Sequence, residues 1–144
     1  MLRTGAQLAK EGIRAVMREL RAGQTHPILS ETCFAAVVAE ARRQGVANMT
    51  GKWDYISVGP DFWGPGGKVE PGTVIKVDVG SVLSGYSSGS AHTVVFGRAD
   101  AHARAIHAAL RAAFDTGCAV FQPGHHLGRS ACGLHRRDAC CRLP

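Results

Sequence analysis

The sequence predicts an α+β domain in which helices pack on an antiparallel sheet. Three observations carry this expectation. Two amphipathic stretches open the chain, and the β-rich runs follow them instead of alternating with them, which argues against a doubly wound parallel sheet. Two of those runs then flank Ser84-Gly85, a dipeptide suited to a tight hairpin because glycine adopts the unusual backbone angle at the bend.

The elements can be taken in order. Leu2, Leu8, Ile13, Val16, Met17 and Leu20 recur at near-helical spacing with charges between them, and Gly23 reads as the helix stop. Thr25 to Leu29 reads as a connector, because Pro27 disfavours helical geometry in His26 before it. Ser30 then caps a second helix with Phe34, Val37, Val38 and Ala41 on the buried face. Arg42 and Arg43 suit the negative end of its dipole, and Gly45 ends it. Aromatic and β-branched residues from Trp53 to Val58 predict a strand. A loop rich in glycine and proline follows, with Phe62 and Trp63 large enough to gain by packing. Val74 to Val82 and Thr93 to Phe96 form the hairpin, and Asp100 caps a third helix with Ile106, Leu110, Ala113 and Phe114 inward and Gly117 terminal.

Composition excludes several classes of function. The chain has 144 residues, 45% hydrophobic and 19% charged, which is ordinary for one globular domain and not for a disordered segment. Surface scaling lets about two-thirds of such a chain's surface be buried, so neither a metal nor a disulfide is needed for folding. The longest apolar stretch, Phe34 to Ala39, falls far short of the roughly 20 residues of a membrane span. Charges run through the first twenty residues, so no secretory leader is expected and the default compartment is the cytoplasm. Five cysteines in no disulfide framework agree with a reducing environment. Half of the net charge of +6 sits in residues 129–144, and the remaining basic residues are scattered, so nucleic acid is not an expected partner.

Asp78 is the most informative residue, because a carboxylate interrupts the strand Val74-Ile75-Lys76-Val77-Asp78-Val79. In a hairpin bent near Ser84, position 78 comes close to position 89 and shares a face with it. Paired carboxylates at two such positions would chelate a hard or borderline dication, since rigid neighbouring strands need no ordering on binding.

The segment Pro71 to Gly80 with its Asp78-Val79-Gly80, followed by Gly85-Tyr86-Ser87-Ser88 and the run to Gly97, resembles the central hairpin of the pita-bread metallopeptidases. That family includes methionine aminopeptidases, Xaa-Pro aminopeptidases and dipeptidases, and creatinase. The resemblance covers roughly residues 1–128 and implies the N-terminal half of a pita-bread fold, a partial peptidase-like catalytic domain, followed by a basic, Cys/Arg-rich and disordered tail at 129–144. It further implies a peptide substrate and two divalent ions, manganese, cobalt or zinc, held by two hairpin aspartates, a later histidine and two later glutamates. The metals would activate water and polarise the peptide carbonyl.

The match is incomplete. Asp78 stands at the first aspartate, but Gly89 stands at the second, and His92 replaces the usual arginine three residues on. His92 falls on the opposite strand face from position 89 and reads as an exposed strand histidine. No glutamate occurs after Glu70, and Gly124-His125-His126 comes too early for the family's later histidine. A zinc site from Cys132, His135, Cys140 and Cys141 is disfavoured by the adjacent Cys140-Cys141 pair; an out-of-frame continuation explains the tail's composition better. The expectation is therefore a truncated, substituted relative of an Xaa-Pro-type peptidase, inactive as this chain, with Asp78 its one metal residue. The alternative is a non-catalytic peptide- or protein-binding module of the same fold, and an exposed face of the half-fold would favour self-association.

Overall fold

A computed structural model of the chain describes residues 1–59 and 66–120. Phe62, Trp63, His125, His126 and the four tail residues weighed as zinc ligands lie outside the described residues, as does the domain boundary expected at 128. The chain divides into two compact units, Met1–Arg98 and Ala99–Pro144.

The first unit runs α1 (Leu2–Glu19), α2 (His26–Arg43), β1 (Met49–Val58), β2 (Val74–Leu83) and β3 (Tyr86–Val95). The strands form one antiparallel sheet in the order β1-β2-β3. Along β2 the residues at 75, 77, 79, 81 and 83 are all buried, because they face the helices. Helix α1 packs on β2 and β3, and α2 packs on β1 and on α1. Between the layers lies a core of Leu8, Val16, Leu29, Val37, Ile75, Val77 and Val79, each at most 1% exposed.

Two glycines set how closely α1 approaches its neighbours. A Cβ on Gly12 would lie 2.8 Å from both Cys33 Sγ and Val37 Cγ2 on α2, and one on Gly5 would collide with Ser88 Oγ on β3. Gly5, Ala9 and Gly12 thus form the small-residue side of α1, a contact that periodicity of large apolar residues did not register. Leu2, expected on the buried side, is 56% exposed.

Several boundaries differ from expectation for identifiable reasons. Helix α1 stops at Glu19 because Leu20 turns extended, with ψ 124°, ahead of Gly23. Helix α2 begins at His26 rather than after Ser30, with Thr25 at its N-cap and Pro27 in its first turn. Proline is compatible there because the first N–H groups of a helix have no intrahelical acceptor. Its other end is as expected. Gly45, at φ 67°, donates to the Arg42 carbonyl, and Val46 donates to Ala41, the paired bonds of a Schellman end. Strand β1 starts at Met49, four residues before Trp53, through an irregularity between Met49 and Gly51.

The hairpin is tighter and longer than sequence propensity indicates. Ser84 and Gly85 have φ 48° and 82°, the doubly positive pattern of a two-residue bend matched to strand twist. Asn48 anchors that bend: its side chain donates to Ser84 Oγ at 2.8 Å and its carbonyl accepts from Ser84 N–H. From there β3 pairs with β2 along its whole length, although Tyr86 to Ala91 is mostly serine and glycine. The ladder partner supplies what intrinsic propensity lacks.

In the second unit, α3 spans Ala101–Val120. Asp100 caps it as expected, its Oδ1 accepting from Ala103 N–H at 2.7 Å. Gly117 lies within the helix and does not end it. Leu110 and Phe114, expected inward, are 65% and 62% exposed.

Candidate functional site

Asp78 sits mid-strand on the central strand β2, on the sheet face turned away from the helices, and is half-buried. Its cross-strand neighbours are Tyr55 on β1 and Ala91 on β3. Position 89 is paired with Gly80, so Asp78 and Gly89 are diagonal neighbours on one face, as expected, while Ala91 stands directly opposite Asp78. His92 pairs with buried Val77 and so belongs to the opposite, helix-facing side, where it is exposed. Strand parity alone foresaw that separation.

The residue that sequence reasoning missed is Trp53. It stands opposite Gly80 in the β1–β2 register, and its indole lies against Gly80 and Gly89 of the hairpin. A Cβ on Gly80 would collide with the indole, against Cε2, Cζ2 and Nε1. One on Gly89 would stand 3.0 Å from Trp53 Cη2 and 3.1 Å from Cζ2. The indole Nε1 donates to Ser87 Oγ on β3 at 3.4 Å, tying the ring across all three strands. Tyr55 continues the aromatic surface, its ring centroid 5.9 Å from that of Trp53 and tilted by 54°. The available signal was the pair Gly80 and Gly89: glycine inside a strand often marks a close approach by another group, here a ring.

These residues do not fit a dinuclear metal centre. The bridging carboxylate that the resemblance implies would project from position 89, which is glycine and where even a Cβ would stand tightly against the Trp53 ring at 3.0 Å. Among the described residues, no three His, Cys, Asp or Glu side chains come together. A single carboxylate offers at most two of the six or more oxygen donors that a hard dication takes up. What the face does present is an aromatic shelf beside one anionic group, an arrangement suited to apolar or cationic groups. Lys76 lies on the same face, and both Lys76 and Tyr55 are already engaged with neighbours.

On the helix-facing side of the sheet, Cys33 of α2 is fully buried. The Cys33 thiol is pushed up to about 12, first by burial and then by the negative charge of Asp54. It is therefore an inert, neutral core thiol and not a nucleophile.

Two helices backing an antiparallel hairpin, with an aspartate mid-strand on its open face, define the N-terminal α+β half of a pita-bread fold. Solved structures of that fold superpose closely. The chain aligns with the prolidase from Pyrococcus horikoshii OT3 at a TM-score of 0.82 and 14% identity, covering 96% of this chain and 40% of that one. For the X-Pro aminopeptidase from Thermotoga maritima MSB8 the values are 0.80 and 15%, over 96% and 39%. An Escherichia coli aminopeptidase P variant in complex with substrate gives 0.78 and 15%, over 96% and 32%. At this identity the likeness shows the fold, and the chain spans at most about 40% of these structures' length. No curated protein matches the chain. The sequence profile of metallopeptidase family M24 matches residues 1–134, and the chain belongs to that family.

Proposed function

We propose that this chain is a catalytically silent member of the family, descended from enzymes that hydrolyse an N-terminal, Xaa-Pro type peptide bond with bound metal ions. The observation that carries this reading is the Trp53 indole over Gly80 and Gly89, which takes the space a bridging carboxylate needs. Metal-assisted hydrolysis requires positioned ions as well as charge, and Asp78 alone positions none. The activity named for prolidase and aminopeptidase P is, on this reading, not retained. Manganese, cobalt or zinc would be held no more firmly than by any isolated surface carboxylate.

The same face supports a second role, binding a peptide without cutting it. Trp53 and Tyr55 offer aromatic surface, Tyr55 being 48% exposed, and Asp78 offers a negative charge beside them. A peptide's ammonium terminus carries the complementary charge. No helix among the described residues is long and apolar enough to cross a membrane, and the proposed setting is the cytoplasm.

Calorimetry with each dication, followed by an assay for release of the N-terminal residue from an Xaa-Pro peptide, tests the first reading. The expected result is no stoichiometric metal binding at micromolar concentration and no turnover; either one would overturn it. Retention of the uncut peptide, lost in Asp78→Asn, is the expected result for the second. Concentration-dependent self-association with no peptide retained would instead favour a module that pairs with its own copy.

A further inference from the structure

We draw no further inference here: the strongest candidate, the Asp54 carboxylate on the helix-facing side of β1, whose buried Oδ2 has no hydrogen-bond partner among the described residues, carries nothing because it joins no cluster of metal-ligating side chains there and nothing in the structure shows a ligand for it.

Discussion

Replacing Gly80 by alanine probes the contact between the Trp53 ring and the hairpin. The new methyl group would enter the space of the Trp53 ring, which is held on its far side by the bond to Ser87. The indole must then leave the hairpin. Overpacking of this kind costs about 1–3 kcal/mol, and replacing a strand glycine returns about 0.5–1 kcal/mol, for a net loss of about 1–2 kcal/mol. For a unit of 98 residues that loss lowers the melting temperature by about 5–10 °C. Urea unfolding followed by circular dichroism measures the stability, and tryptophan emission in a Trp63→Phe background reports Trp53 alone. Emission should shift to the red as the ring enters water. In a Trp53→Ala background the same substitution should become neutral or mildly stabilising, a coupling of more than about 1 kcal/mol. A Gly80→Ala chain as stable as its parent, with unchanged emission and no coupling to position 53, would refute the claim that the indole occupies this site.

Three further outcomes are expected. Gly12→Ala should destabilise the first unit, because its methyl meets Cys33 and Val37 at 2.8 Å and the overpacking cost of about 1–3 kcal/mol exceeds the helix-propensity gain of about 1 kcal/mol; thermal melts decide it. Cys33 titrates near 12 when folded and near 9.0 when free, so the unfolded chain loses that proton first. Stability should be level below about pH 9 and fall as the pH rises from there toward 12, and peptide mapping after alkylation should find Cys33 labelled later than the exposed Cys118. Asp100→Ala removes the cap on Ala103 and should cost α3 about 1 kcal/mol, seen as lost helical ellipticity in the full chain.

Much of this molecule follows from local rules. The alternation of Val77, Asp78 and Val79, the bend at Ser84-Gly85, the Asp100 cap and the Gly45 stop are each encoded within a few residues. Those features sufficed for the helix-helix-strand-hairpin-helix order, for the shared face of positions 78 and 89, and for the separation of His92 from them. They also sufficed for the resemblance on which family membership rests. Other features depend on residues far apart in the chain. Helix α2 could start at His26 because its first turn tolerates Pro27, and β3 could form from serine and glycine because β2 was there to pair with it.

What lies beside position 89 was decided by tertiary structure alone. The sequence states that position 89 lacks a carboxylate, but it cannot state what fills the gap. Trp53 lies 36 residues away in sequence, and only the antiparallel register of β1 on β2 brings its ring over Gly80 and Gly89. The basic side of α1 is placed the same way. Periodicity places Arg3, Lys10, Arg14 and Arg18 on one side of a helix, yet the strand which that side borders depends on how α1 crosses the sheet. Side-chain chemistry is local, whereas the surface against which it acts is set by packing between distant segments.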